Sequence, residues 1–116
     1  MRKISVSLFV FALAACGGTR PIPMGPSCDG TASGIHVCAD FIGVTASQVP
    51  QLQAACSSQL NGTYSNGACN RAGVVGGCEG SSGNVTQVTW IYTDSGATTS
   101  QVMQACQQQN ESYVSP

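Results

Sequence analysis

The feature that most constrains the fold of this chain is the placement of its cysteines. The sequence contains seven, and the six that lie beyond residue 27 are Cys28, Cys38, Cys56, Cys69, Cys78 and Cys106. No two of these six are closer than nine positions, whereas protein zinc sites usually contain closely spaced pairs such as Cys-x-x-Cys. An even number of well-separated cysteines in a small chain therefore predicts a disulfide framework. Such a framework supplies stability that a small core lacks, at about 2–4 kcal/mol per bridge.

The cysteines also indicate an internal repeat. The spans from Cys28 to Cys56 and from Cys78 to Cys106 both cover 28 positions, and they begin fifty residues apart. In each span a Gly lies two positions after the first cysteine and an Ala immediately precedes the second. Five of the 29 positions are identical without gaps. A chain rich in Ser, Gly, Gln and Ala gives some of these matches by chance, but the equal spacing favours a tandem duplication.

Each unit is predicted to form a strand, a turn, a second strand and a helix. In the second unit, residues 73–79 are predicted to be a short apolar strand, residues 80–84 a turn, and residues 85–93 a strand rich in β-branched and aromatic residues. The residues that share a strand face by the two-residue period are Val88, Trp90 and Tyr92 in the second unit, and Ile35, Val37 and Phe41 in the first. These faces are one residue out of step. A one-residue slip in the turn would align them; without such a slip, the mismatch counts against the repeat.

The helices have recognisable ends. Ser47 is predicted to cap the first helix, which tolerates Pro50 in its first turn and ends at Asn61-Gly62. Thr98 with Gln101 forms a capping-box pattern at the start of the second helix. Between the units, residues 62–71 are predicted to be a polar loop.

Six cysteines allow fifteen disulfide arrangements, and the repeat favours one of them. By symmetry Cys28 pairs with Cys56 and Cys78 with Cys106, so that each bridge ties a strand to the following helix. Cys38 and Cys69 then pair with each other. The predicted fold is a small, disulfide-stapled α+β domain over residues 28–116, in which two tandem ββα-like units, at about 28–64 and 73–113, form an antiparallel sheet with two helices.

The first residues have the pattern of an export signal. Arg2 and Lys3 precede a short apolar run, and small residues follow it. The run is shorter than the roughly 20 residues that a membrane-spanning helix requires. The sequence Leu-Ala-Ala-Cys at residues 13–16 resembles the lipobox of bacterial lipoproteins.

This resemblance implies an address and an anchor. Residues 1–15 would be removed as a lipoprotein signal peptide, and Cys16 would carry diacylglycerol on sulfur and a further acyl chain, such as palmitate, on its amine. Several chains hold a protein firmly, since each buried methylene adds about 0.8 kcal/mol. Gly17, in place of the Asp that signals inner-membrane retention in enterobacteria, implies the outer membrane. Residues 16–27 are rich in Pro and Gly and are predicted to be a tether.

The charge of the mature chain excludes some classes of partner. After loss of the signal, Arg20 and Arg71 remain against five acidic residues, which gives a net charge of −3. A nucleic-acid-binding protein has a basic patch, and a protein held by anionic lipid has a polybasic segment. This sequence has neither, so we expect no nucleic-acid partner and a membrane contact made by lipid.

The residues that carry chemistry are few. His36 is the only histidine, and on a strand it would share a face with Cys38 and Asp40, which would suit a nucleophile or a metal. Oxidation of Cys38 in a bridge would prevent both. Asp29 and Glu79 each follow a cysteine and are interpreted as turn residues. The sequence therefore predicts no catalytic residues, no metal and no cofactor.

The remaining candidates for binding are aromatic. Trp90 and Tyr92 are the candidate binding residues, because aromatic rings beside polar amides stack on sugars or hold peptides. The alternative is that the chain's only Trp is needed in the core. Tyr64 and Tyr113 follow the helical cysteines at nearly matched distances, which favours a structural role in each unit.

The whole pattern resembles a group of small Cys-rich bacterial lipoproteins. The resemblance rests on the cysteine spacing, on Gly-Thr-Tyr at residues 62–64 and on Val-Gly-Gly-Cys at residues 75–78, and it covers most of residues 28–113. No activity is attached to this group. The sequence therefore predicts a non-enzymatic lipoprotein of the cell envelope with a structural or surface role; the alternative is a small binding or inhibitor module for a protein or glycan partner.

Overall fold

The computed structural model describes residues 26–116. The predicted signal peptide, Cys16 and most of the tether lie outside these residues. The strands are β1 (Ser27–Ala32), β2 (Ile35–Ile42), β3 (Thr63–Ser65), β4 (Val74–Ser82), β5 (Val85–Tyr92) and β6 (Ser112–Val114). The helices are α1 (Val49–Leu60) and α2 (Thr99–Gln108), and short 3-10 turns precede them at Ala46–Gln48 and Thr93–Ser95. Within this range no helix is long and apolar enough to cross a membrane.

The strands of residues 26–116 form one antiparallel sheet with the order β3-β1-β2-β5-β4-β6. The hairpins β1–β2 and β4–β5 meet along β2 and β5 in the middle of the sheet, and the short strands β3 and β6 form its edges. The predicted α+β class and antiparallel sheet are confirmed. The prediction of a polar loop over residues 62–71 is wrong in part, since it contains β3. A strand of three residues is too short to show the alternation that identifies strands in a sequence.

The turn of the second hairpin is tighter than predicted, and the first hairpin has an equally short turn. β4 runs on to Ser82, so the turn lies at Gly83-Asn84 and not over residues 80–84. In the other hairpin Ser33 and Gly34 both have positive φ angles, of 53° and 77°. Two such residues give a turn whose twist matches that of the strands it joins.

The helix ends follow the prediction in all but one case. In α2, the Thr98 hydroxyl accepts from the Gln101 N–H at 3.2 Å, and the Gln101 side chain accepts from the Thr98 N–H at 2.9 Å, which is the predicted capping box. Asn61 ends α1 with φ 48°, ψ 44°. The predicted cap Ser47 is wrong, because the chain makes a 3-10 turn before α1. The Gln48 side chain accepts there from the Thr45 N–H at 2.9 Å.

Strand pairing in the first half of the sheet has the same register as in the second. β1 pairs with β2 so that Cys28 lies opposite Ala39, and fifty residues later Cys78 lies opposite Thr89. The pairing of β2 with β5 has the same symmetry. Each residue of β2 has its equivalent fifty residues later in β5, so that the pair Val37–Ile91 is equivalent to the pair Gln87–Phe41. Ala39 and Thr89 lie at the centre of this arrangement and pair with each other.

The two faces of the sheet are covered differently. On one face, here called the helix side, α1 and α2 pack against apolar residues that include Val37, Phe41 and Ile91. On the other, here called the loop side, residues 66–73 cross from β3 to β4 over a smaller cluster of buried residues. That cluster contains Cys38, Cys69, Val74, Val88, Trp90, Tyr92 and Val114.

This arrangement explains why the predicted strand faces were out of step. Val37 and Phe41 belong to the helix side, whereas Val88, Trp90 and Tyr92 belong to the loop side. β5 is buried on both faces over most of its length, so its most apolar set is not the set that meets the helices. The one-residue slip that would align these faces does not occur, since the two hairpins have the same register.

The disulfides join the sheet to what covers it. Cys28–Cys56 ties β1 to α1, Cys78–Cys106 ties β4 to α2, and Cys38–Cys69 ties β2 to the crossing segment 66–73. This is the pairing that the repeat predicts. All six cysteines of residues 26–116 are used in it.

Candidate functional site

An open cleft on the loop side is the candidate site. It has a volume of about 400 Å³, and the Cys38–Cys69 disulfide lies along it. Its polar walls come from β1, β3 and the crossing segment 66–73, and they include Ser27, Asp29, Thr63, Ser65 and Asn70. The cleft therefore offers hydroxyl, amide and carboxyl groups around a disulfide.

One side of the cleft is built by a hydrogen bond that anchors the crossing segment. The Ser27 hydroxyl donates to the carbonyl oxygen of Gly67 at 2.6 Å. The Gly67 N–H in turn donates to the Ser65 hydroxyl at 3.1 Å. These contacts hold the segment above β1 and β3, and they satisfy two of the hydroxyl groups that line the cleft.

Asp40 fixes the segment at the floor of the loop side. Its side chain is fully buried, and its carboxyl oxygens accept from the Cys69 N–H at 2.8 Å and from the Trp90 indole N–H at 2.9 Å. A buried acid requires such partners, because its desolvation is otherwise costly. Asp40 thus links β2, β5 and the segment in one network.

Trp90 lies beneath this network and not on the surface. Its side chain is 1 % exposed, and the Arg71 guanidinium lies over its ring at 4.6 Å from the centroid. A cation above an indole face is attracted to it. The predicted binding candidate is therefore a core residue whose ring is covered in this structure. Met103 is the exposed large apolar side chain among the described residues.

Tyr92, the second predicted binding candidate, is also buried. Its hydroxyl donates to the carbonyl oxygen of Asn70 at 2.5 Å, which holds the middle of the crossing segment. Burial, followed by the negative charges of Asp29, Asp40 and Asp94, raises the pKa of Tyr92 to about 12. The hydroxyl therefore stays protonated and remains a donor at neutral pH.

His36 lies beside the cleft between two carboxylates. Its Nε2 is 2.7 Å from Asp29 and its Nδ1 is 3.4 Å from Asp94, while its ring stacks on Tyr92 at 4.2 Å between centroids. His36, Cys38 and Asp40 share one strand face, as the sequence predicts, but each has a different partner. His36 contacts other acids, Cys38 is oxidised, and Asp40 holds the segment. Within residues 26–116 no cluster of His, Cys, Asp or Glu is arranged to hold a metal ion.

Glu111, on the other half of the sheet, is a partly buried acid with a shifted pKa. Burial raises the pKa of Glu111 to about 7, and its Oε1 has no hydrogen-bond partner among the described residues. Its carboxyl group occupies the space above Gly80, where a Cβ atom would collide with it. Glu111 lies away from the residues that line the cleft.

Sequence reasoning missed the residues that build the cleft. Ser27, Thr63, Ser65 and Asn70 are ordinary polar residues in segments predicted as tether or loop. The sequence indicates Asp40 only as a neighbour of His36 and Cys38 on one strand face. A signal for it is available, since an acid within the apolar strand Ile35–Ile42 must be satisfied by a buried donor.

Comparisons with known proteins found no match, whether to family models, to curated sequences or to solved structures.

Proposed function

We propose that this protein is a lipid-anchored lipoprotein of the bacterial cell envelope, with a non-enzymatic structural or surface role. The observation that carries the proposal is the use of the cysteines. Six of the seven are joined in disulfides, which are typical of exported proteins. The seventh, Cys16, is the residue that the lipobox resemblance assigns to acylation.

The intact mass of the protein from a bacterial membrane fraction tests this proposal. The expected mass lacks residues 1–15, includes diacylglycerol and acyl chains on Cys16, and shows no thiol that alkylates before reduction. Cys16→Ser, expressed in parallel, is the matched control and should retain residues 1–15 without acyl mass. An unacylated wild-type chain would contradict the anchor, and free thiols among the other cysteines would contradict the framework.

We propose the outer membrane as the destination, on the basis of Gly17. Separation of inner and outer membranes on a density gradient should place the wild-type protein in the outer membrane of an enterobacterial host. Gly17→Asp should move it to the inner membrane. An unchanged distribution would contradict this assignment.

The cleft supports a second candidate, a small binding module for a protein or glycan partner. Its exposed hydroxyl and amide groups suit a polar ligand, and its volume is within the range of ligand sites. A glycan and peptide array probed with the domain tests this candidate. Thr63→Trp fills the cleft from exposed strand β3, whereas Ser112→Trp makes the same change on exposed strand β6. A ligand of the cleft loses binding to the first variant alone.

We further propose that residues 28–64 and 73–113 are tandem units of common origin. The equal register of their hairpins, and of their helices with the preceding strands, supports this. Each unit then includes a third strand, so its pattern is ββαβ.

Exchange of a turn tests whether the two units are equivalent. The double substitution Ser33→Gly with Gly34→Asn installs the turn of the second hairpin in the first. Unchanged disulfides and a loss of unfolding free energy below about 1 kcal/mol are expected, whereas misfolding would contradict equivalence.

A further inference from the structure

The disulfides of residues 26–116 differ in their surroundings. Cys28–Cys56 and Cys78–Cys106 lie between the sheet and the helices, and their cysteines are 0–2 % exposed. Cys38–Cys69 lies on the opposite face, along the cleft, and Cys69 is 8 % exposed. Its flanking residues in the segment, Ala68 and Asn70, are exposed. A thiol reagent therefore has a path to this disulfide that does not require the helices to detach.

We propose that Cys38–Cys69 is a thiol–disulfide exchange site, which a dithiol reaches through the cleft while the helix-side disulfides remain intact. This exchange requires neither the lipid anchor nor a glycan ligand. The proposed envelope location permits it, since thiol oxidoreductases work outside the cytoplasm.

The exchange proceeds by two successive displacements at sulfur. A thiolate of the dithiol attacks the Sγ of Cys69, the more exposed residue of the pair, and the Sγ–Sγ bond breaks so that Cys38 leaves as a thiolate and takes a proton. The second thiol of the reagent, as its thiolate, then attacks the reagent's first sulfur, which is bonded to Cys69 in the mixed disulfide. Cys69 leaves as a thiolate and takes a proton. The reagent ends as a disulfide, oxidised by two electrons, and the protein ends with two thiols.

The charges around the cleft select the reagent. Asp29 lines the cleft with more than half of its side chain exposed, and the buried carboxyl group of Asp40 accepts from the Cys69 N–H. Arg71, the nearest cation of the segment, is engaged with the Trp90 ring. Carboxylates repel an incoming thiolate that carries further negative charge. The site therefore suits a dithiol whose neighbouring groups are neutral or positively charged.

Reduction would release the crossing segment from the sheet at its middle. The segment would then be held by noncovalent contacts alone. Asp40 accepts from the Cys69 N–H, and the Gly67, Asn70 and Gly73 carbonyl oxygens accept from Ser27, Tyr92 and Thr93. Displacement of Arg71 would uncover Trp90. The fluorescence of this single Trp therefore reports the opening of the site.

Limited reduction of the full-length oxidised protein tests the proposal. A neutral dithiol is added without denaturant, samples are alkylated over time, and the modified cysteines are mapped by mass spectrometry. We expect Cys38 and Cys69 to be modified at least about tenfold faster than the helix-side cysteines, because those require wider opening of the fold. Simultaneous modification of all the cysteines, or earlier modification of a helix-side pair, would overturn the proposal.

A matched pair of variants tests the route. Thr63→Trp narrows the cleft, and we expect it to slow reduction of Cys38–Cys69 by about threefold or more. Ser112→Trp introduces the same side chain on the opposite edge strand and should leave the rate unchanged. Both variants keep every cysteine. Equal rates in the two variants would show that the reagent does not enter through the cleft.

Discussion

The two halves of the sheet share one register but fill the loop side in opposite ways. In the second half, Trp90 pairs with Gly77, and a Cβ on this glycine would approach the Trp90 ring to 2.8 Å. In the first half, the equivalent pair is Asp40 with Ser27. Two small polar residues thus replace a large ring packed on a glycine. The space that remains in the first half is the cleft.

The helix side and the edges show the same divergence. Tyr64 pairs with Cys28 in the first half and Tyr113 pairs with Cys78 in the second, which keeps a tyrosine beside each helix-side disulfide. Before that tyrosine, however, Gly62 packs its backbone against β1, whereas Glu111 places its side chain over Gly80. A common frame therefore accepts different contents, provided that the disulfides and the strand register are kept.

The largest effect is expected from the helix-side disulfides, and it should be equal in the two halves. Cys28→Ala/Cys56→Ala and Cys78→Ala/Cys106→Ala each open a loop with a sequence separation of 28. Loop entropy predicts a loss of about 3–4 kcal/mol of unfolding free energy in each variant. Urea denaturation measures both. A difference of more than about 2 kcal/mol would break the energetic equivalence of the halves, because loop length is the same.

The next effect has no counterpart in the second half, where Trp90 occupies the position equivalent to Asp40. Asp40→Ala leaves the Trp90 indole N–H and the Cys69 N–H without their acceptor, and both groups are buried. We expect a loss of about 3 kcal/mol, since each orphaned donor costs about 1–3 kcal/mol. Asp40→Asn keeps one acceptor and should lose less. A smaller loss in the Ala variant than in the Asn variant would contradict the role of this acid as an acceptor.

A smaller difference in stability is expected between substitutions at equivalent positions of β1 and β4. Gly77→Ala forces a methyl group against the Trp90 ring and should cost about 1–3 kcal/mol through overpacking. Ser27→Ala removes only the hydrogen bond to Gly67 and should cost about 1 kcal/mol. Thermal unfolding of both variants gives the comparison. If Ser27→Ala is the more damaging change, the packing difference between the halves is misassigned.

The smallest effect is a pH dependence that belongs to the second half. The pKa of Glu111 is about 7 in the fold, against an ordinary value of 4.5. The native state therefore binds more protons than the unfolded state between these values, so this group makes stability fall as pH rises from about 4.5 to 7, and no further above it.

Because Glu111 is partly exposed, we expect a fall of about 1–2 kcal/mol after allowance for solvent screening. Glu111→Gln should remove this part of the pH profile, which urea denaturation at pH 5 and pH 8 would measure. A profile unchanged in the variant would show that another group is responsible. The first half has Gly62 near the same position and contributes no such term.

The framework of this fold is predictable because it depends on spacing. Cys28–Cys56 and Cys78–Cys106 were found from equal separations, and Cys38–Cys69 followed as the remaining pair. The capping box at Thr98 and the left-handed Asn61 were found from local chemistry. Such signals lie within a few residues of one another or repeat at a fixed distance, so they need no knowledge of the folded chain.

The cleft was not predictable, because its walls come from distant segments. Ser27 and Asn70 are brought together by the path of the crossing segment, and nothing near either residue marks it as part of a site. For the same reason, the sequence does not decide between binding and the core for Trp90. Its buried indole N–H donates to Asp40, which is fifty residues away, so no local pattern marks the contact.

The sequence by itself determined the disulfide pairing, the elements that the cysteines join and the resemblance to a lipobox at Cys16. Only the tertiary structure decided that Cys38–Cys69 lies along an open cleft while the helix-side disulfides are enclosed. The physical reason is that β5 is buried on both faces, by helices on one and by a single irregular segment on the other. The helices enclose the disulfides on their face, whereas the single segment leaves a cleft along Cys38–Cys69, and the extent of that cleft depends on the side chains of both halves.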